Sequence, residues 1–457
     1  MQRYLLRRLI MLVPTLFFVL VAAFFLSKAV PGDQAESMMQ LQGIRPESSN
    51  ADSEYTRIYT ELGLHLPTFY FSVLPDFYPD NVHAITDRIQ REWTTDMLHQ
   101  KVPSEYVEAF LESKNHFLQL AMMDTTQVWQ KVVKIAKFEN DIEILNSSLP
   151  MENEVDGDSL SVAYQQFALA VQDMKAQKRR WYFPAFRWHG TKNQFHQWIK
   201  KIALGDFGIS IKDGRPVWTK MATALRWTIL LAVLNLFFSM LIAVPVGLWA
   251  GHHIGSRFDK INKVVWMIIY AIPVFWLASL LIIYFTSDRY GAWMNIFPSP
   301  GLWYIPEGQS MWTTFSMYGS QLILPIICMV ANDIALLSTM VRNNVAAEKS
   351  KLYVLMAYAK GLSQQQVLTK HILPNVLLPL ITIAGSRLAA GLAGALIIEV
   401  IFNIPGMGRL MYDSIFAADW NVVFGILVVL SLLTILILLI TDVLYAIADP
   451  RIKFQKS

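Results

Sequence analysis

The stretch "YAKGLSQQQVLTKHILPN" (358–375) is a polar island between two of the most apolar segments of the chain. Just before and into it, apolar side chains recur at the i, i+3, i+4 and i+7 spacing of one helix face, at Leu352, Leu355, Met356 and Ala359. This spacing predicts a short amphipathic helix over 351–360. Glycine readily takes the left-handed conformation that ends a helix, so Gly361 is the predicted end.

A second helix is predicted to follow the glycine at once. Ser363 and Gln366 have the spacing of a capping box, in which each side chain bonds to the backbone N–H of the other residue. Pro374 and Pro379 then predict a bend into the next apolar segment. A helical turn resting on the bilayer would explain the amphipathic spacing but not the caps. We therefore interpret 351–374 as a rigid elbow on which a partner can push.

The remainder of the chain is apolar enough to lie in a membrane. Of its 457 residues 54% are hydrophobic and 16% are charged, and the mean hydropathy is +0.35. A transmembrane helix needs about 20 mostly apolar residues. Six segments qualify, at 9–30, 226–250, 264–286, 318–341, 377–402 and 422–447. We therefore predict an all-α integral membrane protein with six transmembrane helices.

The first apolar segment could be mistaken for a signal peptide, because arginines precede it. Pro14 and the ending "FFLSKAVPGD", which has no clean small-x-small site, favour an uncleaved span instead. Lys and Arg in short loops mark the cytosolic side. With the N-terminus inside, that side holds Arg3, Arg7, Arg8, Arg257, Lys260, Lys263, Arg342, Lys349, Lys351, Lys360, Lys370, Arg451, Lys453 and Lys456. The two short outer loops hold Arg289 and Arg409, so both termini are predicted to be cytosolic.

Residues 31–222 then form one long external region. Amphipathic spacing predicts helices over 103–140 and 157–180, separated by the turn-rich loop 146–159. Aromatic residues cluster in "WYFPAFRWHGTKNQFHQ" (181–197). Two interpretations stay open: a helical cap packed on the membrane domain, or a docking surface for an external partner.

Several functional classes find no support in the residues. The chain has no G-x-x-x-x-G-K-[ST], H-E-x-x-H or G-x-S-x-G motif, and its single cysteine, Cys328, lies in an apolar run. A net charge of +4 is too small to suggest nucleic-acid binding. We predict no catalytic residue, no metal site and no cofactor in this chain. A stand-alone secondary carrier or an intramembrane hydrolase would be the alternative from another class, although neither an inverted repeat nor a facing nucleophile and base is evident.

Charged residues inside the apolar segments are further candidates for function. Asp333 lies nine residues before the cytosolic marker Arg342, and Arg387 lies ten residues after position 377. At about 1.5 Å per residue, these positions are roughly 13 and 15 Å deep. Glu399 is a third such charge. Because intramembrane charges are costly and seldom face lipid, Asp333 and Arg387 either pair or line a watery pathway that meets substrate.

These features resemble the permease subunits of ABC importers, most closely the dipeptide, oligopeptide and nickel branch. The cytoplasmic loop of that branch resembles Y-V-x-x-A-x-A-K-G-L followed by H-x-x-x-N-x-x-x-P. The matching residues here are Tyr353, Val354, Ala357, Ala359, Lys360, Gly361, Leu362, His371, Asn375 and Pro379. Other patches that resemble the branch are "ELGLHLP" (61–67), "GDFGISIKDGRPV" (205–217), "EVIFNIPGMGRLMYDSI" (399–415) and "DVLYAIADPRI" (442–452).

The resemblance implies a transporter subunit and not an enzyme. In that family two permeases pair, each elbow docks on a cytosolic ATPase, and an external binding protein delivers the substrate. It implies a peptide-like substrate here, with nickel or an oligosaccharide as the alternative, and it assigns ATP and Mg²⁺ to the partner subunits. The coupling residues it implies are Tyr353, Ala357, Ala359, Lys360, Gly361, Ser363, His371 and Pro374.

The resemblance also sets the expected domain plan. An N-terminal transmembrane helix (1–30) precedes the external region (31–222), in which about 76–190 are an insertion that the family pattern lacks, and a five-helix core (223–457) follows in the inner membrane. Glycines of the fifth segment form a small-residue face, at Gly385, Gly391 and Gly394. Such a face suits either a seam with a second permease or packing within this chain.

Overall fold

The computed structural model describes residues 2–30, 32–45, 50–79, 82–121, 132–134, 136, 144–145, 159–177, 183–301, 310–392 and 395–448. The chain divides into two compact units. Met1–Val30 and Gly205–Ser457 form the membrane unit, and Pro31–Leu204 form the inserted unit. Some predicted features lie outside the described residues, namely most of the loop 146–159, Gly394, Arg451, Lys453 and Lys456.

The named elements follow one another along the chain. The helices are α1 (Gln2–Ala29), α2 (Gln34–Leu41), α3 (Ala51–Glu61), α4 (Arg88–His99), α5 (Ser104–Ala121), α6 (Ser159–Ala176), α7 (Gln194–Ala203), α8 (Val217–His252), α9 (Arg257–Ala271), α10 (Val274–Phe285), α11 (Met311–Lys349), α12 (Leu352–Ala359), α13 (Gln364–Val367), α14 (Leu373–Leu392), α15 (Leu396–Ile401), α16 (Met407–Phe416) and α17 (Trp420–Ala448). The strands are β1 (Phe71–Pro75) and β2 (Pro184–Trp188), and a π-helical turn (Leu368–Ile372) joins α13 to α14.

Among the described residues, five helices are long and apolar enough to cross a bilayer, and they correspond to five of the six predicted spans. The predicted span 264–286 is instead a bent pair, α9 and α10, whose axes differ by 90°. Ile272 between them is extended, with ψ 119°. Proline pushes the preceding residue out of the helical region and cannot donate a backbone hydrogen bond, so Pro273 breaks the helix. The predicted span 264–286 is thus a broken helix pair, which is one span only if α9 and α10 are counted together.

The fifth predicted span, 377–402, also differs at both ends. Its helix begins earlier, at Gln364, and ends at Leu392. Residues 396–401 form the separate short helix α15. Glu399 therefore lies on α15 and not within the continuous span.

The contact between α8 and α11 is the most extensive helix packing of the membrane unit. A Cβ atom at Gly247 would lie 2.6 Å from the Cβ of Val341, and one at Gly251 would lie 2.6 Å from the carbonyl oxygen of Arg342. These two glycines form a G-x-x-x-G pair, which lets two helix backbones approach closely. Any larger side chain at either glycine would force the helices apart.

The inserted unit has a separate apolar core, centred on α5 and α6. Phe110, Phe117 and Phe167 are fully buried, and the rings of Phe117 and Phe167 stack with centroids 5.7 Å apart. Both helices fall within the predicted amphipathic segments 103–140 and 157–180. Lys114 is also buried, with its Nζ atom 3.3 Å from the ring centroid of Trp93, so an aromatic face stabilises this cation.

The aromatic stretch 181–197 provides a strand that the sequence analysis did not predict. β1 and β2 pair antiparallel, with Phe71 opposite Trp188 and Val73 opposite Phe186. Side chains alternate between the two faces of a strand, so these four lie on one face, and all four are exposed. The inserted unit is therefore mainly helical but carries a two-stranded ribbon with an apolar outer face, which we call the aromatic ribbon.

The α8–α11 contact generates the first prediction. In Gly251→Val the new side chain overlaps the backbone of α11, and overpacking of this kind typically costs about 1–3 kcal/mol. We expect a lower thermal unfolding midpoint for the purified protein in detergent. Leu241→Val, on the exposed side of the same helix, is the control and should leave the midpoint unchanged. An unaltered midpoint for Gly251→Val would contradict this packing.

Candidate functional site: a helical elbow and an intramembrane charge pair

The elbow begins where α11 ends. Lys349 Nζ donates to the backbone oxygen of His252 at 2.7 Å, which ties the end of α11 to the end of α8. Glu348 accepts hydrogen bonds from the Tyr353 hydroxyl and from Lys351 Nζ, both at 2.5 Å. These bonds fix the direction in which α12 leaves the spans.

The turn after α12 has the geometry of a Schellman motif. Gly361 has a φ of +80°, in the left-handed region that glycine favours. Its N–H bonds to the carbonyl oxygen of Tyr358 at 2.9 Å, and the N–H of Leu362 bonds to that of Ala357 at 3.4 Å. These two bonds satisfy carbonyl groups that a helix end would otherwise leave unpaired. The predicted helix end at glycine is confirmed.

The predicted capping box is also present. The N–H of Ser363 donates to Gln366 Oε1 at 3.0 Å, and the N–H of Gln366 donates to Ser363 Oγ at 3.4 Å. Both ends of the connection are thus closed by specific bonds, which leaves the turn little freedom.

The second elbow helix continues into the fifth span without a break at Pro374 or Pro379, the two prolines at which a bend was predicted. The helix instead widens into the π-helical turn, where the N–H of Leu373 bonds to the carbonyl oxygen of Leu368. In an α-helix the ring of Pro374 would crowd the carbonyl of Lys370. The wider turn directly before Pro374 accommodates that ring without ending the helix.

Tyr353 connects the two helices of the elbow. Its hydroxyl accepts a hydrogen bond from Asn375 Nδ2 at 2.8 Å and lies 3.4 Å from the carbonyl oxygen of His371. Asn375 Nδ2 also donates to that carbonyl at 3.0 Å. His371 therefore enters this network through its backbone. The network fastens α12 to the start of the fifth span.

The outer face of α12 is apolar and open. Leu352, Leu355 and Met356 are 78%, 55% and 62% exposed, whereas Val354 and Ala357 on the opposite face are buried. The residues whose spacing predicted the amphipathic helix thus form its exposed side. We call Leu352, Leu355 and Met356 the elbow face.

Asp333 and Arg387 form an ion pair between α11 and α14. Arg387 Nη1 lies 3.2 Å from Asp333 Oδ1, and Asn235 Nδ2 on α8 donates to Asp333 Oδ2 at 2.7 Å. Ser239 Oγ in turn donates to Asn235 Oδ1 at 3.2 Å. The pair also lines a cavity of about 360 Å³, to which Asn332 contributes a further polar side chain. The sequence left two alternatives open for Asp333 and Arg387, an ion pair or the lining of a watery pathway. In the structure the two residues form an ion pair and also line a cavity.

Glu399 takes no part in this pair. Its carboxylate is fully buried and accepts hydrogen bonds from Thr228 Oγ1 at 3.0 Å and from the N–H of Arg409 at 2.9 Å. Arg409 lies in the first turn of α16, where a carboxylate suits the positive end of the helix dipole. A Cβ atom at Gly406 would lie 2.4 Å from the Glu399 carboxyl carbon. Glu399 thus holds the start of α16 in place.

The two described glycines of the predicted seam pack inside this chain. A Cβ atom at Gly385 would lie 1.9 Å from Thr441 Oγ1 on α17, and one at Gly391 would lie 3.2 Å from the Cβ of Ala232 on α8. Of the two open interpretations of this face, the geometry favours packing within the chain.

A bidentate ion pair of the membrane unit was not predicted from the sequence. Arg342 binds Asp259 through two bonds of 2.9 Å, and Asp259 Oδ2 also accepts the N–H of Gly255 at 3.0 Å. Asp259 is 1% exposed, and such bidentate pairs are among the strongest hydrogen-bonded contacts. The pair fastens the first turn of α9, and through Gly255 the loop after α8, to α11 near its end. In the sequence, Asp259 stands among Arg257, Lys260 and Lys263, and these basic residues were used only to predict the orientation of the chain.

A second cluster missed by the sequence analysis lies at the other end of α8. Ser210 Oγ donates to the buried carboxylate of Asp419 at 2.5 Å, and Lys220 Nζ lies 2.9 Å from Ser210 Oγ and 3.0 Å from Asp213. Burial raises the pKa of the Asp213 carboxyl, but Lys220 and the N–H of Arg215, which donates to Asp213 Oδ1 at 3.3 Å, outweigh it and hold the pKa below its ordinary value. The cluster ties the segment before α8 to the start of α17.

The fold and the elbow define a multi-pass membrane protein of transporter-permease type. A family model described as "Binding-protein-dependent transport system inner membrane component" matches residues 243–454. The oligopeptide transport system permease protein AppB of Bacillus subtilis (strain 168) is 33% identical over 264 residues, which cover 57% of this chain and 80% of that protein. The dipeptide transport system permease protein DppB of Escherichia coli (strain K12) is 30% identical over 275 residues, which cover 58% of this chain and 81% of that protein.

Among solved structures, one chain of the MetNI methionine ABC transporter, in inward-facing conformations, is similar with a TM-score of 0.39 and 18% identity, and the match covers 50% of this chain and 96% of that chain. The sequence matches carry the assignment. This chain belongs to the family of inner-membrane permease components of binding-protein-dependent ABC importers, and its relatives include permeases of the peptide branch.

The ion pair yields a prediction for a double-mutant cycle. Removing one partner of a fully buried pair costs about 3–5 kcal/mol. Arg387 is about one third exposed to the cavity, so we expect a smaller loss of about 1–3 kcal/mol from Asp333→Asn or Arg387→Gln, seen as lower thermal midpoints. The double variant should recover much of the loss, because neither charge is then left alone.

Arg289→Gln is the matched control for this cycle, since it removes an arginine from the short turn after α10. It should change the midpoint little. Strictly additive losses in the double variant would show that Asp333 and Arg387 do not stabilise one another.

Proposed function

We propose that this chain is the permease subunit of an ATP-driven importer for a peptide-like solute. It forms the membrane path together with a second permease, and two cytosolic ATPase subunits bind the ATP and Mg²⁺. The proposal is supported by the family of the chain and by relatives named as oligopeptide and dipeptide permeases. The sequence contains no phosphate-binding loop, which agrees with a transporter whose ATP is bound by partner subunits.

The observation that carries the coupling role is the elbow face. Three large apolar side chains stand exposed on a helix whose position is fixed by a Schellman motif, a capping box and the Tyr353 network. Exposed apolar patches on a rigid element are typical of interaction sites. Lys360 is exposed at the same end, whereas Ala357 is buried and positions the helix from behind.

The charge distribution supports a cytosolic elbow and an external inserted unit. Both termini and the elbow lie on the side that carries most of the short-loop Lys and Arg residues, and the segment 31–222 lies on the other side. We propose that the inserted unit receives the external binding protein. The aromatic ribbon supports this role, because its four exposed side chains form a rigid apolar surface.

Two alternative transport functions require different features of the chain. A nickel or oligosaccharide permease of the same branch would keep the elbow and the partners but change the solute. A stand-alone secondary carrier would need neither the elbow nor the partner subunits. Purification of the complex decides between the classes, because the importer requires two ATPase subunits and a second permease to purify with this chain.

The elbow face gives the direct test of coupling. The double substitution Leu355→Ser and Met356→Ser removes apolar contact area while leaving the buried face of α12 intact. We expect co-purification of the ATPase subunits to fall at least tenfold, with the thermal midpoint of the permease unchanged. Gly361→Val, which forces a β-branched residue into the left-handed region, should produce the same loss through misplacement of the helix.

Phe416→Ser is the matched control, because Phe416 is an exposed apolar residue at the end of another short helix. It should leave ATPase binding unchanged. Wild-type ATPase binding and transport in the Leu355→Ser, Met356→Ser variant would remove the elbow face from the mechanism.

The ribbon gives the test for the inserted unit. Excising the insertion would delete β2 and leave β1 unpaired, so point variants are cleaner. Phe186→Ser with Trp188→Ser should lower the affinity of the binding protein at least tenfold, because apolar contact area is lost. Val162→Ser, on an exposed part of α6, is the control. Equal affinities for all three proteins would show that the ribbon is not the receiving surface.

A further inference from the structure

Polar and apolar side chains both line the cavity beside the ion pair. The polar ones are Asn235, Asn332, Asp333 and Arg387. The apolar lining comes from α10, α11, α14, α15 and the residue before α15, with Val274, Met329, Ala390, Ala395, Leu396 and Ile398 among its residues. A volume of about 360 Å³ is in the range of small-molecule sites, and such sites combine apolar walls with a few placed polar groups.

The ion pair leaves binding capacity on both partners. A guanidinium carries five N–H donors, and among the described residues the recorded partner of Arg387 is Asp333, at Nη1. The Arg387 side chain is 34% exposed, so further donors are open to the cavity. Asp333 accepts one bond at each oxygen, from Arg387 and from Asn235, whereas a carboxylate can accept about four.

We infer that this cavity is a binding site for a small zwitterion with a free carboxylate and a free ammonium group, such as a short peptide. Arg387 binds the solute carboxylate, Asp333 binds the solute ammonium group, and the apolar wall takes a side chain. This inference rests on the proposed function, because it locates the part of the membrane path that recognises the solute.

The charge balance favours a zwitterion over a simple ion. Asp333 and Arg387 together carry no net charge, so a cation or an anion bound there would leave one charge uncompensated at a depth where that is costly. A zwitterion gives each partner an opposite charge. The bond between Asp333 and Arg387 can then loosen without leaving either group alone, which allows the solute to enter and leave.

The test measures equilibrium binding of radiolabelled alanyl-phenylalanine to the full-length permease in lipid nanodiscs, with its co-purified subunits and without a binding protein. The probes for comparison are its C-terminal amide and its N-acetyl derivative. We expect the wild type to bind the free dipeptide at least tenfold more tightly than either blocked form. Arg387→Gln should lose at least tenfold in affinity for the free dipeptide and lose its preference over the amide.

Asp333→Asn should correspondingly lose its preference over the N-acetyl form. Because either variant can also lower stability, Ala390→Leu provides a second route, as it fills the cavity without touching a charge and should weaken binding of all three probes. Arg289→Gln is the control and should bind like the wild type.

Wild-type protein that binds the three probes equally, or binds none of them, would overturn the site, and so would unchanged selectivity in Arg387→Gln. Co-purification of the ATPase subunits in the same preparations separates the two proposals. If the subunits are present and the probes are not distinguished, the site is wrong. If the subunits are absent, the importer assignment fails independently of the binding result.

Discussion

The close approach of α8 and α11 is the constraint on which the rest of the membrane unit depends. Gly247 and Gly251 allow a separation that no other residue would permit. That separation brings Asn235 to within hydrogen-bond distance of Asp333, and it brings the end of α11 to His252. The pair of Asp259 and Arg342 then fastens the first turn of α9 to α11 near the same end. Two contacts, Lys349 with His252 and Arg342 with Asp259, therefore hold the point from which the elbow starts.

A continuous helix links the elbow to the intramembrane charges. It runs from Gln364 through the π-helical turn to Leu392, and Arg387 lies 23 residues after its start. At about 1.5 Å per residue this is roughly 35 Å. Tyr353 binds the first elbow helix to the beginning of this rod. In the proposed importer, a push on the elbow face moves Arg387 on α14 relative to Asp333 on α11, so closure of the ATPases reaches the cavity through a rigid body.

The features that the sequence predicted well are local in the chain. The glycine turn and the capping box each depend on residues at most a few positions apart, and the long spans follow from composition alone. Pro273 in the sequence indicates a break between α9 and α10. Because the segment 264–286 is apolar throughout, hydropathy alone predicted a single span there. The role of Glu399 could not be predicted, because it depends on Thr228 and on the turn at Gly406, which only the tertiary fold brings together. The aromatic ribbon pairs strands that are more than a hundred residues apart, and no local pattern specifies such a pairing. The spacing of α12 indicated an apolar face, but only the packing of Val354 and Ala357 shows that this face points outward.

In the proposed importer, the central claim is that the elbow and the cavity move together. The most direct measurement is the alkylation rate of a cysteine at the cavity wall, introduced as Ala390→Cys in a protein whose buried Cys328 has been replaced by alanine, within the assembled transporter. We predict that trapping the ATPases with ATP and vanadate changes this rate several-fold, and that the change disappears when Leu355 and Met356 are both serine. An alkylation rate that is the same with and without trapped nucleotide, in a complex that hydrolyses ATP, would contradict the claim.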